Sequence, residues 1–396
     1  MTTWLIEPRD PIIFGDGRPF SADPGARSRS LAFPFPATIA GAVRTYAGRG
    51  ANGYFEDQRA HELMTRQVRG PFLVEVRQSG EVEWLFPAPG DALLLKTEHS
   101  ATEYARIVPL APIEMPKGAN TDLTKFGLKL VGTGEEIVQK PHPTPPAFWQ
   151  WEPYLAWLIA PEASETKLSD LGHWGPVREH RTHVSINPDS LSHVEGALFQ
   201  TSGLEFNRNY ARDESEKADL TNVVQLGLAF DTDADFSEGC SYLGGQGRIT
   251  RWRHCPAPLP ECPDPVRRSI LQHRSCRLIL ATPACFAKGF LPSTAGLSHS
   301  GVNVSVQGVA NHRYQVVSGW DYVLRKPKPS RRLVPAGGVY FVRLEGSDTA
   351  IEKWMDMLWL QSISDDDQDR RDGFGIVVLG AWDGKLKEWK LTEATA

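Results

Sequence analysis

The sequence predicts an α+β protein in which helices cover one face of mainly antiparallel sheets. Three observations lead to this class. The last third of the chain shows several strands, one amphipathic helix and a final strand, an order typical of such sandwiches. The first part shows a strand, an early helix, hairpins and a late strand, which fits the same plan with insertions. A proline-rich stretch separates the two parts, so two ferredoxin-like halves would account for both patterns.

Apolar periodicity defines the elements of the first part. A short strand is predicted at 4–6, and a helix over 36–46 because Ile39, Val43 and Tyr46 recur at i, i+4 and i+7. The remaining predictions are a hairpin of strands 72–76 and 82–86, long loops over a small sheet to about 140, a helix over 149–160, a hairpin over 196–206 and a buried strand over 223–230.

The best domain boundary is the stretch from Cys255 to Pro265. Its five prolines support neither a helix nor a central strand. We therefore expect one domain over residues 1–255 and a second over 266–396. In the second part, strands are predicted at 277–281, 314–317, 338–344 and 374–379, with a helix over 349–362 before the last strand.

The composition is that of an ordinary globular protein. The chain has 396 residues, of which 41% are hydrophobic and 23% charged, with a formal net charge of −5. It contains no apolar run near the roughly 18 residues of a membrane span and no export signal, so we expect a soluble cytoplasmic protein without membrane contact. The net charge argues against a surface coated with nucleic acid, and a local basic groove is compatible with it.

Metal and cofactor sites are not predicted. The five cysteines are an odd number, and we expect reduced thiols. The cluster from Cys240 to Cys285, near His254 and His273, keeps zinc open as an alternative, although its spacings are irregular and no Cys-x-x-Cys occurs. The run from Gly373 to Gly380 has neither the spacing nor the context of a dinucleotide fingerprint.

Two basic stretches are candidates for nucleic-acid binding. Residues 25–55 contain no acidic residue and hold Arg27, Arg29 and Arg44, whose guanidinium groups can face phosphates. Residues 325–332 hold five cations in eight positions, stiffened by prolines and preceded by aromatic residues, an arrangement suited to a single strand. The alternative for each stretch is a solvated basic surface.

Glycine-rich loops are a further feature. Residues 243–247 form one such loop, which runs into a basic strand beginning at Arg248. Near the C-terminus, Gly373 and Gly375 follow Arg370 and Arg371, and glycines allow a phosphate or another backbone to approach closely. A tight entry into a strand is the alternative explanation of the second loop.

His180 and His183, beside Arg178, are the candidates for acid–base catalysis on RNA. A metal-independent ribonuclease needs little more than one such imidazole near a 2′-hydroxyl. The alternative is that these side chains form local hydrogen bonds or contact phosphate without chemistry.

The opening of the chain carries a family resemblance. The stretch 7–20, continued by 22–31 and 34–44, resembles the N-terminal signature of the third subunit of the type III-B CRISPR RAMP module. Residues 195–199, 243–245, 319–322 and 326–341 fit the same family, and the matches keep their order from residue 4 to about 380.

The resemblance implies two fused ferredoxin-like, RRM-like domains of the RAMP superfamily, with a glycine-rich loop near the C-terminus. It implies a non-catalytic subunit at the foot of the Cmr effector complex, which acts in antiviral defence. Such a subunit binds the repeat-derived 5′ handle of the guide RNA (crRNA) and docks against the large subunit with HD and polymerase-like domains, next to other RAMP subunits. The sequence lacks Gly-Gly-Asp-Asp, in keeping with this division of labour.

The resemblance also assigns positions. It places RNA contacts at Arg18, Arg27, Arg29, Arg44, Lys326, Lys328, Arg331 and Arg332, and a close-approach loop at Gly373 and Gly375. Arg178 and Arg248 complete the predicted RNA-binding set. The aspartates 365–367 and 369 would repel phosphate unless Arg370 and Arg371 turn inward.

Two other functions stay open at this point. One is a guide-processing endoribonuclease that uses His180 or His183. The other is a protein-only assembly subunit, whose basic stretches would pair with acidic surfaces of a neighbouring subunit.

Overall fold

The computed structural model describes residues 1–15, 27–28, 30–50, 52–97, 103–134, 136–207, 224–321 and 326–389. For residues 27, 28, 320 and 321 it describes the backbone alone. The predicted contacts Arg18 and Arg29 lie outside the described residues.

The secondary structure alternates short helices with many strands. The helices of the described residues are α1 (Pro36–Ala47), α2 (Ala60–Leu63), α3 (Trp151–Ile159), α4 (Leu168–Leu171), α5 (Asp264–His273), α6 (Thr294–Leu297), α7 (Asp348–Leu358) and α8 (Asp367–Asp372). The strands from the N-terminus to the proline-rich stretch are β1 (Thr2–Pro8), β2 (Arg27–Ser28), β3 (Val68–Val76), β4 (Val82–Pro87), β5 (Ala92–Lys96), β6 (Tyr104–Pro109), β7 (Ala111–Glu114), β8 (Val131–Gly132), β9 (Phe148–Gln150), β10 (Ser164–Lys167), β11 (Gly172–His173), β12 (Val177–Ile186), β13 (His193–Glu205), β14 (Gln225–Thr232), β15 (Gly239–Leu243) and β16 (Arg248–His254). The later strands are β17 (Ser275–Leu280), β18 (Asn303–Ala310), β19 (Gln315–Val317), β20 (Trp320–Asp321), β21 (Lys326–Pro327), β22 (Arg331–Leu333), β23 (Val339–Glu345), β24 (Val377–Ala381) and β25 (Lys387–Glu388).

This architecture confirms the predicted α+β class. The main ladders, such as β1 with β14 and β17 with β23, are antiparallel. Parallel pairing occurs between the short strand β2 and β13, and between β25 and β7.

The chain forms two compact units, each made of three segments. Unit 1 contains residues 1–83, 175–258 and 316–331, and unit 2 contains residues 84–174, 259–315 and 332–396. The change of unit at 258/259 falls inside the proline-rich stretch. The predicted division into residues 1–255 and 266–396 stays a prediction, and residues 84–174 belong to unit 2.

Unit 1 contains a five-strand antiparallel sheet in the order β3-β14-β1-β16-β15. The central strand β1 is apolar on both faces, and its Ile6 lies opposite Leu228 on one side and Trp252 on the other. Helix α1 lies between β1 and β3 in the chain, and its Ile39 and Val43 are completely buried. Each buried aliphatic side chain of this kind contributes about 1.5–3 kcal/mol, which fixes α1 on the sheet.

A long hairpin of β12 and β13 also belongs to unit 1. Its turn is closed by Asn187, whose side-chain oxygen accepts the backbone N–H groups of Asp189 (2.9 Å) and Ser190 (3.2 Å). The short strand β2 adds to this hairpin in parallel, with Arg27 opposite Gln200 and Ser28 opposite Thr201. The hairpin therefore carries the predicted basic segment at its side.

Unit 2 contains a four-strand antiparallel sheet in the order β18-β23-β17-β24. Helix α7 follows β23 and precedes β24, and it buries Ile351, Trp354, Met355 and Leu358. The spacing of these four residues is the stripe from which the sequence predicts the helix. A second, three-strand sheet, β10-β6-β5, lies in the segment 84–174 of the same unit.

A buried ion pair connects the segments of unit 2. Arg277 of β17 donates to Asp91 at 2.7 Å, and both side chains are at most 1% exposed. The same guanidinium donates to the carbonyl oxygens of Ala381 (2.9 Å), Trp157 (2.6 Å) and Leu158 (3.2 Å). The Trp157 indole N–H donates to the second oxygen of Asp91 at 3.0 Å, so the charges are paired and hydrogen-bonded.

Several element predictions need correction. Residues 196–206, predicted as a hairpin, lie in the single strand β13 up to Glu205, and the turn lies at 187–192 instead. Gly203 serves close packing there, because a Cβ would lie 3.0 Å from the Pro11 side chain. Helix α5 and strand β18 were not predicted, and the helix predicted over 349–362 ends at Leu358.

Membrane and metal features can be stated for the described part of the chain. None of its helices is long and apolar enough to cross a membrane. Its His, Cys, Asp and Glu side chains form no group of three that could hold a metal ion. All five cysteines are free thiols.

Candidate nucleic-acid interface

The opening stretch of the chain continues β1 as a strap, residues 11–15, between two parts of unit 1. Ile12 exchanges backbone hydrogen bonds with Leu204 of β13, at 2.9 and 2.8 Å. Ile13 accepts a backbone hydrogen bond from Gly245 at 2.8 Å. The strap therefore joins the hairpin base to the glycine-rich loop.

The close approach of this strap requires a glycine at position 244 of the glycine-rich loop 243–247. Gly244 has a φ of +71°, and a Cβ there would lie 2.6 Å from the carbonyl oxygen of Ile13. Side chains rarely adopt this backbone conformation, and the strap leaves no room for one. Gly245, by contrast, has space for a Cβ, whose nearest neighbour would be the Ile13 oxygen at 3.5 Å.

A groove of about 380 Å³ lies between the strap, the loop and helix α1. The helix contributes Thr38, Ala42 and Thr45, and the strap and the loop with the end of β15 contribute Ile13, Phe14, Gly15, Tyr242, Leu243, Gly244 and Gly245. Glycines and small side chains let an extended sugar–phosphate chain approach this part of the surface closely.

The edge of the groove carries an aromatic–cation cluster that the sequence did not reveal. Tyr242 lines the groove and is 60% exposed. The Arg49 guanidinium lies 5.9 Å from the Tyr242 ring centroid and 5.0 Å from that of Tyr46. Alternation in β15 places Tyr242 and Cys240 on the exposed side, which was the available signal.

Arg178 is tied to the same strap through Ser30. Its guanidinium donates to the Ser30 carbonyl oxygen at 2.7 Å, and the Phe14 N–H donates to the Ser30 hydroxyl at 3.0 Å. Phe14 lines the groove, and Arg178 is exposed, so this arginine presents a positive charge next to it. The neighbouring Arg181 is paired with Glu179 at 2.9 Å, and this hydrogen bond raises the pKa of Arg181.

The two candidate histidines differ in their surroundings. The His183 Nε2 lies 2.9 Å from the Thr201 hydroxyl, and its ring stacks on Phe199 with centroids 5.1 Å apart. His180 lies opposite Ser202 and is exposed. These contacts fit the alternative of local hydrogen bonding for His183.

Arg248 begins β16 directly after the glycine-rich loop. It donates to the Gln246 side chain at 3.1 Å and is half-buried. Its Nε is buried and has no hydrogen-bond partner among the described residues. Arg248 therefore stabilises the loop conformation through Gln246, and this hydrogen bond uses one N–H group of its guanidinium.

The second basic stretch is divided between the units. Lys326, Lys328 and Arg331 belong to unit 1, and Arg332 belongs to unit 2. Lys326 is exposed and pairs through its backbone with Asp321, and the Lys328 N–H donates to the Gly319 carbonyl oxygen at 2.7 Å. Arg332 is exposed and lies over the Tyr314 ring at 4.9 Å.

Arg44 has a structural position. It is 7% exposed, and its guanidinium donates to the Arg66 carbonyl oxygen at 2.9 Å. It thus connects α1 to the segment before β3, and the predicted RNA contact at Arg44 needs correction because the guanidinium lies inside unit 1.

Gly373 and Gly375 are buried as well, which corrects the predicted close-approach loop. Gly373 ends α8 with a φ of +93°, and its carbonyl oxygen accepts the Thr282 hydroxyl at 2.7 Å. A Cβ on Gly375 would lie 2.5 Å from the Ser364 hydroxyl. Both glycines allow the chain to enter β24 through a tight bend, which is the alternative explanation of this loop from the sequence.

The aspartates before these glycines have internal partners. Asp365 accepts the N–H groups of Ala287 (2.8 Å) and Ser293 (3.2 Å), and Asp366 caps α8. Arg370 turns inward, donating to the carbonyl oxygens of Ser364 (2.6 Å) and Asp365 (2.8 Å). This acidic segment is a folded cap whose hydrogen bonds are internal.

Comparisons with known proteins agree with the sequence resemblance. No curated protein matches the chain. A chain from the cryo-EM structure of the Type III-B Cmr-beta bound to cognate target RNA and AMPPnP is 15% identical, with a TM-score of 0.44, over 89% of this chain and 88% of that one. A chain from the Type III-B Cmr-beta bound to cognate target RNA is 14% identical, with a TM-score of 0.43, over 86% of each chain. The model of the CRISPR-associated protein (Cas_Cmr3) family matches residues 4–382, and the chain therefore belongs to this family.

Proposed function

We propose that this chain is a non-catalytic, guide-RNA-binding subunit of a type III-B RNA-targeting effector complex. In this role it holds the 5′ handle of the guide RNA at the foot of the complex. The observation that carries the proposal is the groove of unit 1, which is lined by the glycine-rich loop and whose Phe14 is connected to the exposed Arg178 through Ser30. Membership of the Cas_Cmr3 family of CRISPR-associated proteins supports the same role.

The groove suits a sugar–phosphate chain for two physical reasons. Its glycines, Gly15, Gly244 and Gly245, carry no side chains that would keep a sugar–phosphate chain away from the surface. Arg178 is connected to the groove residue Phe14 through Ser30, and the Arg49 guanidinium, which follows the end of α1, lies near the Tyr242 ring at the groove edge. Guanidinium groups form the strongest hydrogen bonds to phosphate. Lys326, Lys328 and Arg331 form a second basic segment of unit 1 that can follow the same strand.

We also propose that each unit is built on a ferredoxin-like frame. In unit 1, the strands β1, β3, β14 and β16 lie in the spatial order second, third, first, fourth. In unit 2, β17, β18, β23 and β24 lie in the same order, and both sheets are antiparallel. These frames fall within residues 1–255 and 266–396, which supports that division of the chain.

The partners would be the guide RNA, the large HD and polymerase-like subunit and other RAMP subunits, in the cytoplasm. The exposed part of the β12–β13 hairpin is the candidate for protein contacts. Val184, Ile186, Leu191 and Leu198 are all exposed there. This apolar surface also favours the second candidate function, a protein-only assembly subunit.

The groove is tested most directly by filling it. Gly245→Leu adds a side chain to the groove lining, where a Cβ meets no atom closer than 3.5 Å. We expect affinity for a handle-bearing guide RNA to fall about tenfold, or about 1.4 kcal/mol, in filter binding. Gly296→Leu is the matched control, because an exposed Cβ there, outside the groove, meets no atom closer than 3.8 Å.

The predicted arginines give a second test. Arg27→Ala with Arg29→Ala should weaken handle binding and lower the slope of log affinity against log salt by about one unit per lost phosphate contact. Equal affinity and slope in the variant and the parent would remove these two residues from the interface. Equal affinity of Gly245→Leu and Gly296→Leu would remove the groove.

A further inference from the structure

Unit 2 has a cavity of its own, separate from the groove of unit 1. It encloses about 460 Å³ and is lined by residues of unit 2 alone. Binding sites for small ligands have volumes of about 300–1,000 Å³. The volume of this cavity lies within that range and is sufficient for one nucleotide. The cavity lies beside the end of β18, where the exposed segment His312-Arg313-Tyr314 follows Asn311.

The charge of this cavity has one sign. Arg313, Arg332 and His312 line it, and its described lining contains no carboxylate. Among the described residues, neither Arg313 nor Arg332 forms an ion pair with an acidic side chain. Two guanidinium groups without a protein counter-ion at a concave surface favour an anionic ligand.

The same wall presents planar surfaces. The Arg332 guanidinium lies 4.9 Å from the centroid of the Tyr314 ring, and this ring is 48% exposed. Phe290 also lines the cavity and packs edge-on against Phe126 at 5.6 Å, with Lys125 5.3 Å from the Phe126 ring. Unstacked RNA bases are bound in proteins by aromatic rings and by guanidinium planes of this kind.

We propose that this cavity, which we call the Tyr314 pocket, holds one unstacked nucleotide of a single-stranded RNA. The base would stack on the Tyr314–Arg332 pair, and its phosphate would be bound by Arg313. The inference rests on the proposed RNA-binding function and adds to it a second site, on unit 2, that tolerates any base because it uses stacking and charge. It reassigns Arg332 from the Lys326–Arg331 segment to this pocket.

The first experiment locates the contact. The purified full-length protein is irradiated with an oligouridine that carries one 4-thiouridine, and crosslinked peptides are identified by mass spectrometry. We expect crosslinks to peptides that contain Tyr314 or Phe290. Crosslinks confined to other peptides would overturn the proposal.

The second experiment measures the energy of the contact by fluorescence anisotropy with the same oligouridine. Tyr314→Ala should weaken binding about 5- to 100-fold, and Tyr314→Phe should stay within about twofold of the parent, because a phenyl ring retains the stacking. Arg332→Lys keeps the charge and loses the plane, so it should weaken binding as well. The exposed residues Tyr104 and Arg268 supply the controls Tyr104→Ala and Arg268→Ala, which should leave affinity unchanged.

The outcomes separate this inference from the proposed function. If Tyr314→Ala and Tyr104→Ala bind the oligouridine equally while handle-bearing guide RNA is still retained, the pocket proposal fails and the handle role stands. If the pocket crosslinks and its variants lose affinity while the handle confers no retention, the handle role fails instead. An acidic protein segment as the true occupant would appear as the first of these results.

Discussion

The buried Arg277–Asp91 pair offers a sharp test of how unit 2 is held together. Asp91 comes from the segment 84–174 and Arg277 from β17, and neither side chain contacts solvent appreciably. We predict that Arg277→Met lowers the free energy of unfolding by about 3–5 kcal/mol, because it leaves the Asp91 carboxylate buried without its counter-ion.

The structure supports this magnitude. Arg277 makes four hydrogen bonds, and its removal also leaves the carbonyl oxygens of Ala381, Trp157 and Leu158 without this donor. Each unsatisfied buried polar group costs about 1–3 kcal/mol before the structure relaxes. Asp91→Leu should cost a similar amount. The double variant Arg277→Met/Asp91→Leu should cost much less than the sum, because no buried charge remains.

The assay is urea unfolding followed by circular dichroism and tryptophan fluorescence. Arg66→Ala is the control, since it breaks an exposed i, i+4 pair with Glu62 at 3.1 Å and should cost at most about 0.5 kcal/mol. Single-variant losses below about 1 kcal/mol, or strictly additive losses in the double variant, would refute the reasoning.

Three further predictions concern the stability of unit 2. Tyr154→Phe should leave stability unchanged or raise it by up to about 1 kcal/mol in urea unfolding, because the buried hydroxyl has no hydrogen-bond partner among the described residues; a loss above about 1 kcal/mol would reveal a partner. Burial lowers the pKa of His173 from 6.5 to about 4. Its contribution to the free energy of unfolding is therefore present above pH 6.5 and is lost as the pH falls towards 4. Plots of the free energy of unfolding against pH for the parent and His173→Gln should converge over this range, and parallel plots would contradict the prediction. Gly380→Ala should cost about 1–3 kcal/mol, because its Cβ would lie 2.8 Å from the Arg277 guanidinium, whereas Gly41→Ala on α1, with open space around it, should not destabilise; equal stability of the two variants would contradict the packing argument.

Local periodicity was sufficient to predict many frame elements of the two units, with β18 as an exception. The helices α1, α3 and α7 and the strands β1, β14, β23 and β24 lie close to their predicted positions. Each has an apolar stripe or run that its own sequence reveals. Helix α5 was missed because Val266 and Ile270 are its only buried residues and prolines precede them.

Tertiary contacts account for what the sequence did not reveal. The run Gly373, Gly375 and Gly380 has the appearance of a ligand loop. Gly373, however, ends α8 with a positive φ, and Gly375 and Gly380 are required by neighbours inside unit 2, the last by the Arg277 guanidinium. Arg44 belongs to a basic segment in the sequence and bonds a carbonyl oxygen inside unit 1. Which glycine or arginine faces solvent depends on residues distant in the chain, and composition carries no information about them.

The predicted interface stays a prediction. The glycine-rich loop and Arg178 both lie beside the opening stretch, and a site that uses both of them requires this proximity. Tyr242, Arg313 and Tyr314 were not singled out, because an exposed aromatic residue next to an arginine is common in sequences. Only the cavities beside them distinguish these residues from other exposed side chains.

The central claim is that the chain binds the 5′ handle of a guide RNA without cutting it. The most direct measurement is one incubation of the purified protein with end-labelled guide RNA in EDTA, with and without the handle, read for retention and for cleavage. Our account predicts retention of intact RNA that depends on the handle. Cleavage that disappears in His183→Ala would contradict it in favour of a nuclease, and absence of both binding and cleavage would contradict it in favour of a protein-only assembly subunit.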